Sequence, residues 1–188
     1  MELKEISLNI LDIAFNSVKS GASVIEISVI IHTDTNKLIV EIKDNGAGFN
    51  VSEYKKETAR KSRRGNSPQK RGGNGLRLFK ESAEKTGGSF FISSEKGLGA
   101  CVRAEYILNS PLCAPLGDMA ETIAVLMLCE GKRVLAYTYS VDDKSFNFKT
   151  EQIKEMLGNI SAEKYEIIKL TKEFIRKNTD FINRNRFF

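Results

Sequence analysis

The sequence has little of several residue types, and each shortage excludes a class of protein. It has no tryptophan, one histidine and three prolines in 188 residues. Its longest apolar run, Ile123 to Cys129, is far short of the roughly 20 residues that a membrane-spanning helix needs. The first eight residues include three charged side chains and lack the apolar stretch of a secretory signal. We therefore expect a cytoplasmic protein with no membrane partner.

Cysteine is also scarce. Cys101, Cys113 and Cys129 are odd in number and lack the close pairing of a zinc site, so we expect reduced, buried thiols. Apolar residues make up 41% and charged residues 28% of the chain, which predicts a packed core rather than disorder. The length suits one domain of ordinary size followed by a small second one.

The net charge of +5 comes from a single segment. Residues 51–72 hold eight basic and two acidic side chains, a sum of +6, so the rest of the chain carries −1. A long stretch with few apolar residues inside a domain is typical of a functional lid or a disordered insert. Tyr54 is its one aromatic residue, and a charge block without interleaved aromatics is commonly a solvated loop. Nucleic acid is therefore disfavoured as a partner.

Apolar spacing and β-branched runs predict an alternation of helices and hairpins. The predicted elements of the first part are a helix at 1–20, strands at 24–31 and 38–42, a helix at 75–85, and strands at 89–93 and 101–107.

Two prolines and two turn-forming residues within 109–115 predict a domain boundary. We expect one domain at 1–110 and a small α+β domain at 111–188. In the second part, Asp118 and Glu121 have the spacing of a helix capping box. A hairpin around Asp142 and helices at 151–157 and 162–176 follow.

Polar residues on the opening helix form the first candidate site. Glu5, Asn9, Asp12, Asn16 and Lys19 recur at spacings of four, three, four and three, which places them on one stripe. Such a stripe is commonly the solvated face of an amphipathic helix. Alternatively, Asp12 and Asn16, one turn apart, converge on a hydrated Mg²⁺.

Glycine-bearing turns form the other candidates. Asp44 begins a turn that contains Gly46 and Gly48. The pattern fits a plain turn, but a carboxylate can also accept a hydrogen bond from an exocyclic amine, and glycines let the backbone approach a flat ring. The glycines of 72–75 run into a helix, as in a phosphate cradle or a hinge. Those of 97–99 fit a hairpin turn.

Together these motifs, in this order, resemble the Bergerat-fold ATPases, the superfamily of gyrase, the heat-shock chaperone, histidine kinases and MutL. The resemblance covers residues 1–108 and implies an α+β two-layer sandwich that binds ATP with Mg²⁺. Residues 11–22 and 115–122 are also similar to small stand-alone kinase-like ATP-binding proteins of Gram-positive bacteria.

The resemblance implies a role for each matching residue. Asp12 stands where the family has a Glu and would be the catalytic residue, although it is one methylene shorter. Asn16 would bind Mg²⁺, and Asp44 would bind the adenine amine. The other residues implied to bind ATP are Lys19, Gly46, Gly48, Gly73, Gly75 and Leu76.

Three functions follow as hypotheses. The first is a stand-alone phosphotransferase acting on a partner protein, as the anti-sigma serine kinases of the superfamily do. The second is a binding module in which ATP orders the lid, and the third is a nucleic-acid binder using the basic segment. The one histidine, His32, is predicted at a strand end, which disfavours autophosphorylation on histidine. For residues 111–188 we expect a protein-interaction surface or a homodimer contact.

Overall fold

The computed structural model describes residues 4–54, 56, 75–129, 133–157 and 164–184. Its helices are labelled here α1 (Ile6–Lys19), α2 (Gly75–Glu84), α3 (Met119–Met127), α4 (Thr150–Leu157) and α5 (Lys164–Asn183). Its strands are β1 (Val24–His32), β2 (Lys37–Asp44), β3 (Ser89–Glu95), β4 (Gly99–Ile107), β5 (Val134–Val141) and β6 (Lys144–Lys149). The order of these elements follows the sequence prediction. The largest differences are that α1 begins at Ile6 rather than at Met1 and that α5 continues to Asn183, seven residues beyond its predicted end.

The strands form one six-stranded sheet in the order β3-β4-β2-β1-β5-β6. Neighbouring strands are antiparallel except β1 and β5, which are parallel, with Val24 opposite Val134. The two strands beyond residue 110 therefore extend the sheet of the first part. The division into two domains at this residue stays a prediction.

The helices cover one face of the sheet. Side chains alternate between the two faces of a strand, and in β1 the buried ones are Ile25, Ile27, Val29 and Ile31. They share a core cluster with Phe79 of α2 and other side chains from α1, α3 and α5. The predicted α+β two-layer architecture is thus confirmed, and α1 crosses the cluster with one face buried and the other open.

Helix α3 begins as its sequence predicts. The Asp118 side chain caps it by accepting a hydrogen bond from the Glu121 N–H at 2.9 Å. The prediction for the thiols is only half right: all three cysteines are free, but each is partly exposed rather than buried. Among the residues that the structure describes, no helix combines the length and the apolar character needed to cross a bilayer.

Candidate functional site

Asp44, the last residue of β2, is held against α1 by a side-chain hydrogen bond. The Ser17 hydroxyl donates to Asp44 Oδ2 at 2.6 Å, and the Gly46 N–H donates to Asp44 Oδ1 at 2.9 Å. Asp44 is partly exposed, so its carboxylate is not part of the buried core. Since Ser17 follows Asn16 directly, the aspartate turn and the polar side of α1 are adjacent.

The turn after Asp44 is clamped between α1 and the β3–β4 turn. The Ala47 N–H donates to the Ser20 carbonyl at 3.0 Å, and the Gly97 N–H donates to the Ala47 carbonyl at 2.8 Å. A Cβ on Gly46 would lie 2.0 Å from Ser20 Oγ. A side chain at this position would therefore displace the Ser20 hydroxyl and crowd the Asp44 carboxylate, whose Oδ1 would lie 3.0 Å from the added Cβ.

Gly48 is required by both conformation and space. Its φ of +59° lies in the left-handed region, and a Cβ there would stand 1.9 Å from the Glu95 carbonyl oxygen. Gly99 similarly brings β4 against the backbone of Asp44, since its Cβ would lie 1.9 Å from the Asp44 carbonyl oxygen. These glycines serve the packing of the turn on its own chain, a need that the sequence pattern alone does not reveal.

Helix α2 begins beside Asp12. Gly75, its first residue, is buried, and a Cβ there would lie 3.2 Å from Asp12 Cβ. The following residue, Leu76, is partly buried and packs against the core cluster. Because the first amides of a helix have no partner within it and carry a partial positive charge, this end of α2 suits an anion next to Asp12.

Helix α1 therefore contacts both the aspartate turn and the start of α2. Asp44 contacts it at Ser17 and Gly75 contacts it at Asp12, about 7.5 Å apart along the axis at the usual rise per residue. Asp12, Asn16 and Lys19 are all exposed on this helix. The arrangement places the Asp44 carboxylate at one end, the side-chain amide of Asn16 between, and the N-terminus of α2 at the other end.

The structure departs from the predicted polar stripe at one position. Asn9 is buried, with 3% of its surface exposed, and its Oδ1 has no hydrogen-bond partner among the described residues. Asp12 has a neighbour that the sequence did not indicate, because Lys4 Nζ lies 3.4 Å from Asp12 Oδ2. Ser17 was also missed, since a serine next to an asparagine carries no signal of its own.

Some predicted residues fall outside the part that the structure describes. These are Gly73, together with Lys55 and residues 57–72 of the basic segment. A separate group of potential metal ligands lies at the tips of two hairpins: His32, Asp34 and Asp142 have ligand atoms within 4.8 Å of one another. Neither Asp12 nor Asn16 belongs to that group.

Comparison with known proteins defines the class of the chain. Residues 1–109, more than half of its length, match the family model described as histidine kinase-, DNA gyrase B- and HSP90-like ATPase. The chain belongs to this family, whose ATPase domains bind ATP or ADP, commonly with Mg²⁺. The predicted superfamily is thereby confirmed. A search of curated proteins gave no match.

Three solved structures align with the chain at low identity and with TM-scores below 0.5. The N-terminal domain of a DNA repair protein is 10% identical with a TM-score of 0.47, over 82% of this chain and 57% of that one. The Aquifex aeolicus MutL ATPase domain complexed with ADP is 12% identical, with a TM-score of 0.46, over 84% and 70%. The Francisella tularensis topoisomerase IV ATP-binding domain, in complex with a small-molecule inhibitor, is 14% identical, with a TM-score of 0.39, over 78% and 88%. The chain thus spans little more than half the length of the first of them.

Proposed function

We propose that this chain binds Mg-ATP between α1 and the turn at residues 44–48, and that it acts as a stand-alone phosphotransferase on a partner protein. The observation that carries the proposal is the 2.6 Å hydrogen bond from Ser17 to Asp44. It fixes a partly exposed carboxylate beside a helix with an exposed asparagine and lysine. Membership of the ATPase family supports the same ligand.

The residues present fit the adenine. Each carboxylate oxygen has two lone pairs, and each oxygen of Asp44 accepts one hydrogen bond from the protein, from Ser17 or from Gly46. One lone pair on each oxygen remains for an exocyclic amine. Gly46 and Gly48 let the turn that carries Asp44 pack closely on its own chain, which holds the carboxylate in place.

The residues present also fit a hydrated Mg²⁺. Asn16 offers an exposed amide oxygen, and Mg²⁺ commonly keeps several waters and takes few protein ligands. Bound Mg²⁺ would neutralise phosphate charge during transfer. Lys19 would add a positive charge at the phosphates, and Asp12 would accept the proton of the attacking hydroxyl.

A second candidate function is an ATP-gated binding module with little turnover. The ion pair between Lys4 and Asp12 favours it, because the ammonium competes for the carboxylate that would take the proton. Both side chains are about half exposed (50% and 47%), so the pair is weak and salt-sensitive. In either candidate, we propose that residues 111–188 present the surface that meets a protein partner or a second copy.

Thermal unfolding of the purified chain tests nucleotide binding. Mg-ATP should raise the melting temperature, by linkage corresponding to about 2.7 kcal/mol at a hundredfold excess over Kd. EDTA should remove most of this effect, and GTP should give less of it because it lacks the adenine amine. If saturating Mg-ATP produced no shift, both candidate functions would be wrong.

Phosphate transfer separates the two candidates. The chain is incubated with ATP labelled at the γ-phosphate, alone and with cell lysate. Label on a lysate protein with the wild type, but not with Asp12→Asn, supports the phosphotransferase. Thermal stabilisation without any transferred label supports the ATP-gated module instead.

A further inference from the structure

Asn45 directly follows Asp44, and its side-chain amide is bonded to the start of β1. Asn45 Oδ1 accepts hydrogen bonds from the Ser23 and Val24 N–H groups, both at 2.9 Å. Asn45 Nδ2 donates to Ser23 Oγ at 2.8 Å. One exposed side chain therefore makes three hydrogen bonds to a neighbouring segment of the chain.

These bonds continue the contact between β1 and β2 beyond the end of their ladder. The ladder ends at the pair of Ile25 and Asp44. After it, the Asn45 N–H donates to the Val24 carbonyl over 3.4 Å, which is longer than a usual backbone hydrogen bond. Strand ends open more readily than strand centres. The amide of Asn45 therefore supplies the bonds that hold Asp44, the last residue of β2, beside β1.

The segment to which Asn45 is bonded is itself held by the sheet. The Ser23 carbonyl accepts a hydrogen bond from the Val134 N–H of β5 at 2.9 Å. Val24, the next residue, begins the parallel pairing of β1 with β5. Ser23 thus contacts Asn45 through its N–H and its hydroxyl, and β5 through its carbonyl. A fixed segment of this kind can orient the turn that is bonded to it.

The surroundings of Asn45 argue against a role in core packing or in direct ligand contact. The residue is exposed, so its truncation leaves no cavity in the core. Both the oxygen and the nitrogen of its amide are bonded to residues 23–24. The effect that remains for this side chain is on the position of Asp44.

We propose that Asn45 is a positioning residue for nucleotide recognition, which acts on the adenine through Asp44. This inference rests on the proposed function, in which Asp44 accepts a hydrogen bond from the adenine amine. By fixing the backbone that follows Asp44, Asn45 lets the carboxylate keep its bonds from the Ser17 hydroxyl and the Gly46 N–H. The carboxylate is then already oriented when the nucleotide arrives, which lowers the entropic cost of binding.

Calorimetric titration of the full chain with Mg-ATP and with Mg-GTP tests the proposal. Asn45→Ala should weaken ATP binding about three- to tenfold, because a carboxylate that moves must be ordered during binding. GTP lacks the adenine amine, so its affinity should change less and the preference for ATP should fall. A loss of stability alone would not change this preference, since the folded molecules would bind both nucleotides as before.

A double-substitution cycle shows whether Asn45 acts through Asp44. In the Asp44→Asn background, Asn45→Ala should cause no further loss of ATP affinity, because the acceptor that Asn45 positions is already gone. As a single substitution, Asn45→Asp should keep the preference for ATP over GTP. Its carboxylate can accept from both amides, and its charge acts equally on the phosphates of the two nucleotides.

Asn147→Ala is the matched control. Asn147 is also an exposed asparagine of the sheet, and its Oδ1 accepts from the Thr138 hydroxyl at 2.8 Å. It lies in β6, which is separated from β2 by β1 and β5. The affinities for ATP and for GTP should both stay at their wild-type values in this variant.

Hydrogen exchange at the Gly46 amide tests the positioning without any nucleotide. This N–H is bonded to Asp44 Oδ1, so in Asn45→Ala it should exchange about tenfold faster. The amide of Val40, in the middle of β2, should keep its wild-type rate. If the wild type binds no Mg-ATP, the proposed function fails, and this measurement still decides the role of Asn45.

Three outcomes overturn the proposal. The first is an unchanged preference for ATP in Asn45→Ala, and the second is an unchanged exchange rate at Gly46. The third is a double variant in which the losses from Asn45→Ala and Asp44→Asn add, because Asn45 would then act independently of Asp44.

Discussion

At the scale of the residue, the proposed nucleotide site between α1 and the turn at residues 44–48 depends on a few side chains. We expect Asp44 to have the largest effect on affinity, because its carboxylate is oriented by two hydrogen-bond donors and still has lone pairs that can accept from a ligand. A hydrogen bond to a charged group contributes about 1.5–3 kcal/mol, which corresponds to about a ten- to hundredfold change in affinity.

Asp44→Asn should weaken ATP binding by about that factor while the fold is retained. The amide offers fewer acceptor lone pairs and brings donors that face the adenine amine. Calorimetric titration with Mg-ATP measures the change, and Asp34→Asn, in an exposed hairpin turn, serves as the control. Unchanged affinity in Asp44→Asn would remove this residue from the site.

Asn16→Ala should abolish the dependence of ATP affinity on Mg²⁺, because the amide oxygen is the proposed protein ligand. Titrations with Mg²⁺ and with EDTA should then give the same affinity. Asn109→Ala, at an exposed turn, should keep the full Mg²⁺ effect. A variant at position 16 that still responds to Mg²⁺ as the wild type does would contradict the metal assignment.

At the scale of the elements, the start of α3 carries a prediction about stability. The Asp118 cap is joined by a hydrogen bond from Arg176. Capping residues contribute about 0.5–2 kcal/mol, and the partly exposed ion pair adds little. Asp118→Ala should lower the free energy of unfolding by about 1–2 kcal/mol in urea denaturation. Asp34→Ala, in the exposed turn between β1 and β2, should have a smaller effect.

The loss of stability in Asp118→Ala should depend on pH. Burial opposes ionisation of Asp118, but hydrogen bonds from the Glu121 N–H and from Arg176 outweigh it and lower the pKa below the ordinary 3.8. Because the pKa of Asp118 is lower in the folded than in the unfolded state, its carboxylate stabilises the fold at pH values above the unfolded pKa. This contribution disappears as the pH falls through the folded pKa. The stability difference between wild type and Asp118→Ala should be constant from pH 7 to about 5 and shrink below about pH 4. A stability difference between the two proteins that increased as the pH fell would contradict a lowered pKa of Asp118.

How much of this the sequence reveals depends on the range of the interaction. The helices and hairpins, and the cap at Asp118, follow from local periodicity and spacing, and the structure agrees with them. The burial of Asn9 breaks the polar stripe, because packing by other elements decides which turn of a helix is covered. The Ser17–Asp44 bond joins residues 27 positions apart, and no local pattern encodes such a pair. The need for glycine at position 48 likewise comes from Glu95.

At the scale of the whole molecule, the sheet links the two parts of the chain. Each of β1 and β5 has a partner on both sides, and they pair with each other in parallel. Their backbone amides should therefore exchange hydrogen with free energies of opening within about 1 kcal/mol of each other, as parts of one cooperative unit. Hydrogen exchange resolved by residue measures this. Much faster exchange in β5 and β6 alone would mean that residues 111–188 open independently.

The parallel pairing also constrains how the chain is made. Val24 of β1 pairs with Val134 of β5. The ribosome must therefore add about 110 more residues after Val24 before β1 can pair with β5, its second neighbouring strand. At about 5–20 residues per second, that interval lasts on the order of 5–20 seconds. Throughout it, a strand with the sequence VIEISVIIH presents an open edge of the kind that recruits other nascent chains. Slowed translation between these positions should therefore increase aggregation of this protein more than slowing elsewhere.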